Sequence, residues 1–384
     1  MNKINKGKNK VLFIMHMPPP VHGAAMMGQY IHDSKLINES FECRYINPSA
    51  SASVDEIGKM GVKKMLRTIK VVWKIFKTCI VWRPDLVYLT PTNYGRWYSG
   101  SLYLNIAYVL ALKLTARKIV YHMHNKGVES SLKVQPSLKV YYKWMYKNVK
   151  VILLAKALYH ELRDFVSEKD LYICPNGIPS NISVSSSPKC KLQKKVPCLL
   201  FLSNLIESKG VLVLLDALKK LKDCGENFVC NFVGGESVDI DTARFENEVA
   251  QRNLSDKVFY LGRKYNQDKE AVYEEADIFV FPTFYPGECF PLVLLEAMQH
   301  RLPCVSTTEG GISEIIDEGK TGFVVERENV DALVDKLRVL IHNPELRLKM
   351  GNAGFEKFQK NLTLSCFEIN LTKILSEICQ QKKY

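Results

Sequence analysis

No acidic residue occurs between Lys59 and Arg83, no two cysteines stand at CxxC spacing, and no stretch of the chain reaches 18 uninterrupted apolar residues. Each absence excludes something. Without CxxC pairs, and without an HExxH among eight histidines, neither a structural nor a catalytic zinc site has its ligand pattern, so no metal is expected. Eleven cysteines, an odd number at irregular spacing, read as small buried residues in a reducing compartment. The longest apolar candidate, 102–116, is interrupted by Asn105 and Lys113 and does not read as a membrane span. The basic stretch MNKINKGKNKVLFIMHMPPP has only a short apolar run before three prolines and no small-residue cleavage site after it, which favours the cytoplasm. Also missing are GxxxxGK with Ser or Thr, a GxGxxG after the first apolar run, and GxSxG. Nucleotide hydrolysis, dinucleotide redox chemistry and serine hydrolysis thereby lose their usual cradles.

What is present suits a large core. With 384 residues, 47% hydrophobic and 24% charged, two domains are expected rather than one. Short apolar runs at 11–15, 85–89, 118–122 and 151–155 read as strands, separated by segments long enough for helices. A serine-rich, basic stretch at 180–195 reads as a linker. Strand patterns then resume at 197–202, 228–234, 257–261, 278–281 and 302–306, with helices centred at 211–221, 270–275 and 292–299. This alternation predicts α/β architecture, two doubly wound parallel sheets in series. The expected domains are 1–185 and 186–356, with a last helix in 357–384 packing back toward the first. Ligands of such sheets bind beyond the carboxyl ends of the strands, so a cleft between the domains is the expected site.

Within PTFYPGECFPLVLLEAMQH, Pro282 to His300, two glutamates stand eight residues apart around an almost wholly apolar run. A strand end, a loop from Thr283 to Glu288 and a helix beginning near Pro291 place Glu288 just before the positive end of a helix, and Glu296 more than a turn inside it. Free N–H groups at such a helix start can cradle a phosphate. Buried carboxylates need partners, so at least one of the pair should have something to hold.

The Glu-x7-Glu run, the PT before it and AMQHRLPCVSTTEGGISEIIDEGKTGFVV after it resemble the donor-binding region of family 4 glycosyltransferases, retaining enzymes of GT-B architecture. Further matches are the first strand with its glycine loop, YHMHN, ICPNGI and LSNLIESKG, over nearly the full length. The resemblance implies two Rossmann-like domains facing across a cleft, and transfer of a sugar from a nucleotide-sugar to an acceptor hydroxyl without a metal or other cofactor. It implies that Glu288 and His124 act at the donor sugar, with Cys289 and Glu314 beside it, and that Glu296 holds the ribose. The diphosphate would meet Gly23, Ala24, Lys209 and the backbone N–H groups of Phe290 and Leu292. Relatives often carry an arginine where this chain has Asn204; either Arg263 or Lys264 supplies the missing charge, or the diphosphate relies more on backbone donors. The implied setting is cell-surface polysaccharide assembly, lipopolysaccharide or capsule, with a glycan or lipid-linked acceptor and a mild preference for uridine diphosphate. A nucleotide-sugar or glycan-binding module without turnover is the alternative.

Charge is divided unevenly: 28 Lys and Arg against 11 Asp and Glu in 1–190, but 25 against 29 in 191–384. Between Lys59 and Arg83, apolar residues Val62, Met65, Leu66, Ile69, Val72, Trp73, Phe76 and Ile80 recur at helical spacing beside Lys63, Arg67, Lys70, Lys74 and Lys77. A second stretch sets Lys139, Lys143 and Lys147 among Tyr141, Tyr142, Trp144 and Tyr146. Both stripes fit helices lying on an anionic leaflet, and both equally fit core faces with solvated lysines opposite. No zinc finger or RRM signature accompanies the charge, so nucleic acid is not expected. The expected location is peripheral, on the cytoplasmic face of the inner membrane.

Overall fold

A computed structural model describes residues 7–19, 22–48, 62–92, 100–180 and 196–381; the side chains of 62–65 and 100–101, and the linker reading at 181–195, lie outside the described residues. By contact the chain divides into two compact units, Met1–Asn176 with Leu364–Tyr384, and Gly177–Thr363. Each is a Rossmann-like α/β unit built on one six-stranded parallel sheet.

The first sheet contains β1 (Lys10–Ile14), β2 (Glu42–Ile46), β3 (Leu86–Leu89), β4 (Ile119–Met123), β5 (Lys150–Leu153) and β6 (Leu171–Ile173), in the order β2-β1-β3-β4-β5-β6. The second contains β7 (Cys198–Leu202), β8 (Val229–Val233), β9 (Val258–Tyr260), β10 (Ile278–Phe281), β11 (Cys304–Thr307) and β12 (Gly322–Val325), in the order β12-β11-β10-β7-β8-β9. The inner strands β3, β4, β5, β7, β10 and β11 are buried along their whole length, as expected where helices cover both faces of a parallel sheet. Winding reverses between β1 and β3 in the first sheet and between β7 and β10 in the second. Beyond such a reversal the two exit loops diverge and leave a crevice at the strand ends.

The last helix, Leu364–Gln380, belongs to the first unit. Its apolar face buries Phe367, Leu371, Leu375 and Ile378, and Phe367 stacks on His122 at a centroid distance of 6.3 Å. Lys118 Nζ donates to the carbonyls of Ile378 and Cys379 at 3.0 and 2.7 Å, supplying a cation and hydrogen bonds where the helix end leaves acceptors unpaired.

The Val62–Val81 helix turns a different face inward from the one its apolar stripe suggests. Thr68, Ile75 and Cys79 are buried, whereas Leu66, Ile69, Trp73 and Ile80 are exposed, Trp73 at 62%. Trp73 stacks with Phe76, and Arg67, Lys70, Lys74 and Lys77 flank this ridge in solvent. The Leu138–Tyr146 helix does the reverse: Tyr141, Tyr142 and Tyr146 enter the core, and Lys139, Lys143 and Lys147 are solvated. Tyr141 accepts a hydrogen bond from Asn105 at 2.8 Å, a satisfied interior contact. Among the described residues no helix is long and apolar enough to cross a membrane.

Candidate functional site

In the second unit the loops leaving β7 and β10 meet at the reversal. Lys209 ends a short 3₁₀ turn, Glu207–Lys209, and Gly210 follows in left-handed conformation at φ 88°. A side chain at 210 would run into the carbonyl of Pro282, so glycine is required for this approach. The Phe284 N–H donates to the Ser208 carbonyl at 2.8 Å, stitching one loop to the other. Across the seam, Lys209 Nζ lies 2.6 Å from Glu288 Oε2, with the two side chains 16% and 11% exposed. The same ammonium stands 4.2 Å from the Tyr285 ring centroid and 5.6 Å from that of Phe281. Removing one partner of so sheltered a pair leaves the other charge uncompensated, typically at a cost of about 3–5 kcal/mol.

A third loop locks Glu288 from the far side. Gly310, at φ 58°, packs its backbone on the carbonyls of Glu288 and Cys289, and the Gly311 N–H donates to the Cys289 carbonyl at 2.7 Å. Cys289 and Phe290 are buried, and Pro291 caps the helix Leu292–Gln299. The N–H groups of Leu292 and Val293 therefore point out of the helix start without intrahelical acceptors. Glu314 is exposed on the short helix Ile312–Ile315, and its carbonyl accepts from Lys357 Nζ at 2.8 Å.

Glu296 is also held. Lys269 Nζ lies 2.6 Å from its Oε1 and the Tyr273 hydroxyl donates to its Oε2 at 2.8 Å. Neither partner was foreseen. The signal was the i, i+4 spacing of Lys269 and Tyr273 in NQDKEAVYEE, which puts both on one face of the helix Asn266–Glu275. At the exit of β8, Asn204 Oδ1 accepts the Gly235 N–H at 3.2 Å, and the Arg263 guanidinium packs against Gly235 itself. Asn204 and Arg263 thus converge on one glycine, both exposed.

The first unit brings four histidines to the carboxyl ends of β1 and β4. His22 precedes the helix Gly23–Asp33 and accepts the Ala25 N–H through Nδ1 at 3.3 Å, a cap that requires the ring nitrogen to be unprotonated. Gly23 is exposed and Ala24 partly so. His16 and His22 rings are 6.3 Å apart; those of His122 and half-buried His124 are 4.3 Å apart. The Tyr88 hydroxyl and His122 Nδ1 share a hydrogen bond of 2.6 Å. Burial, then the neighbouring His22, pushes His16 down to about 4; burial, then His22 and His16, pushes His124 to about 4 as well. The cluster is neutral at pH 7.

On the surface of the same unit, Glu129, His160 and Glu161 have ligand atoms within 4.8 Å of one another. Glu161 already accepts the N–H groups of Gly127 and Glu129, and Glu129 pairs with Lys133.

The two Rossmann-like units with parallel sheets define the GT-B class of fold, and comparison with known proteins agrees. A glycosyltransferase from Rickettsia africae superposes with a TM-score of 0.75 at 22% identity, covering 98% of this chain and 100% of that one. The Anabaena HepE protein, solved in complex with UDP and glucose, superposes with a TM-score of 0.71 at 17% identity, over 96% and 100%. Residues 185–357 match the family model described as Glycosyl transferases group 1, which relates the chain to the glycosyltransferases of this fold. An uncharacterized glycosyltransferase of Methanocaldococcus jannaschii is 30% identical over 179 residues, 47% of this chain and 48% of the relative. The matching stretch spans about half or less of the length of the curated relatives.

The histidine cluster sets a pH dependence. From an ordinary value of 6.5, unfolded His16 and His124 take up protons as pH falls, while the folded rings stay neutral down to about 4. Their neutral burial therefore costs no stability above pH 6.5 and progressively destabilises the fold between 6.5 and 4. Urea midpoints are expected to fall across that window, and less steeply in His16→Gln. Equal slopes in variant and parent would exclude His16 as a cause.

Proposed function

We propose that the protein is a retaining glycosyltransferase, moving a hexosyl or N-acetylhexosaminyl group from a nucleotide-sugar to a hydroxyl of a lipid-linked or growing glycan. The observation that carries this reading is the Lys209–Glu288 pair, set across the winding reversal and directly before a helix start. A diphosphate at that helix start would draw the ammonium toward itself, freeing the Glu288 carboxylate to accept hydrogen bonds from hydroxyls of the transferred sugar. Lys209 and the N–H groups of Phe290 and Leu292 would then stabilise charge developing on the leaving nucleotide, and groups of this kind are commonly worth about 3–4 kcal/mol each.

In this reading Glu296, oriented by Lys269 and Tyr273, accepts the ribose hydroxyls, and Cys289 and Glu314 border the sugar. Arg263, beside Asn204, replaces the cation that Asn204 does not supply. Gly23, Ala24 and His124, in the first unit, keep the donor roles that the resemblance implies: the helix start at Gly23 has N–H groups to offer, and His124 is neutral. Uridine diphosphate is the favoured nucleotide, in keeping with the HepE complex.

The exposed ridge Leu66, Ile69, Trp73 and Ile80, with Arg67, Lys70, Lys74 and Lys77 beside it, supports attachment to an anionic leaflet on the cytoplasmic side, where a lipid-linked acceptor is met. Each cation near such a surface adds about 1 kcal/mol, and apolar residues already facing water need no rearrangement to insert.

A panel of nucleotide-sugars, followed by nucleoside diphosphate release with acceptor present, tests turnover; saturable binding without release would leave the non-catalytic module. Nuclear magnetic resonance of the new linkage should show the donor's anomeric configuration, and inversion would sink the retaining assignment. Glu288→Ala is expected to lower kcat by ~10²-fold, while Glu296→Ala chiefly weakens nucleoside diphosphate binding. Unchanged binding in Glu296→Ala would refute the ribose role. Flotation with anionic vesicles should weaken with salt and in a Lys70→Glu, Lys74→Glu, Lys77→Glu variant; equal recovery with neutral vesicles would return the ridge to the solvent.

A further inference from the structure

A cavity of about 320 Å³ opens in the first unit at the amino-terminal ends of β4 and β5, the sheet edge opposite His16 and His124. Lys113, Arg117, Lys118, Lys147 and Lys150 line it together with Trp144, and none of the lining residues is acidic. Five cations around one hollow repel each other, and their arrangement shows which are engaged elsewhere. Lys118 is bound to the carbonyls that end the last helix, and Lys150 lies 2.7 Å from Asp170. Arg117 reaches Asp85 only at 3.7 Å, with more than half of its side chain exposed. Lys113 donates to the Lys147 carbonyl, and the Lys147 ammonium meets no acid within ion-pair reach among the described residues.

Three cations therefore face the cavity with little or no countercharge. Lys113 shows the strain: burial, and then the charge of Lys147, push its ammonium down to about 8. Partly buried like charges are costly, and an anion of charge near −2 between them offsets the repulsion and compensates the desolvation of the cations. A phosphate monoester or a diphosphate carries that charge and enough acceptor oxygens to engage an arginine and two lysines together. The volume is at the low end for small-molecule sites, enough for a phosphate and part of the group it esterifies, with the Trp144 ring as an apolar wall.

We propose that this cavity binds the phosphate group of a phosphorylated molecule between Lys113, Arg117 and Lys147. The site lies within the first unit and stands whether or not the sugar-transfer reading holds. Its phosphate could come from a soluble ester or from a phospholipid headgroup, since Leu114, next to Lys113, is 71% exposed.

Inorganic pyrophosphate titrated into the full chain, followed by Trp fluorescence and by calorimetry, is the direct probe. Trp144→Phe should remove the fluorescence response while leaving the heat of binding. A double variant, Arg117→Ala with Lys147→Glu, should weaken binding about tenfold or more at unchanged melting temperature. Lys147→Ala, which trims one exposed side chain, gives a second reading if the double variant is unstable, and should weaken binding in the same direction. Monomeric short-chain phosphatidic acid, with the matching phosphatidylcholine as control, separates the sources: tighter binding than pyrophosphate assigns the site to lipid, equal or weaker binding to a soluble ester. Pyrophosphate affinity unchanged by the Arg117 and Lys147 substitutions, or a fluorescence response that survives in Trp144→Phe, would overturn the proposal.

Discussion

A lysine ammonium held 2.6 Å from the Glu288 carboxylate, with both side chains largely out of water, ties together the two strand ends where the second sheet reverses its winding. Chains leaving adjacent strands at a reversal part toward opposite faces, and nothing in the sheet itself holds the loops in register. Here the register is imposed by contacts between the loops. Gly210 allows backbone against backbone, Ser208 accepts from Phe284, and Gly310 presses on Glu288 from the neighbouring strand end. The pair sits at the centre of these contacts, so the position of the helix start at Leu292 depends on it.

The two glutamates have similar lysine partners but different environments. Glu288 shares its ammonium with two aromatic faces at a loop junction, and this is the more sheltered of the two pairs. Glu296 is fixed through both oxygens to one neighbouring helix, and behind it His300 stacks on Tyr273 and bonds to Glu270 at 2.8 Å. One carboxylate is thus tied across a junction of loops; the other is braced from a single helix. A Glu-x7-Glu spacing alone does not distinguish these roles. The difference arises from which helices pack beside it.

Much of the second unit was legible because its inner strands are continuous apolar runs closed by glycine or proline. β7, β8, β9, β10 and β11 all fall on runs read from sequence, as do β1, β3, β4 and β5. The missed strands, β2, β6 and β12, are all edge strands. ECRYI in β2 mixes charge with apolar residues, because an edge strand needs only one well-buried flank, and LYI in β6 is too short to show a period. The basic helices were ambiguous for a different reason. Helical periodicity shows that a stripe exists, not which way it faces, so Leu66, Ile69 and Trp73 could be read inward or outward and Tyr141, Tyr142 and Tyr146 likewise. The convergence of the four histidines was out of reach because it depends on tertiary proximity between segments far apart in the sequence, whereas Lys269 and Tyr273 carried a local signal in their i, i+4 spacing.

The assignment of Leu364–Gln380 to the first unit means that the polypeptide leaves that unit at Asn176 and re-enters it at Leu364, with the whole second unit inserted between. During synthesis the second unit is contiguous and can close its sheet as soon as Thr363 has emerged. The first unit, although made first, waits for the final helix to cover His122 and to engage Lys118. Until then the apolar surface destined for Phe367, Leu371 and Leu375 remains open on a nascent, strongly basic chain. The unit whose strands are translated first is therefore the one completed last, because its covering helix follows the whole of the second unit in the chain.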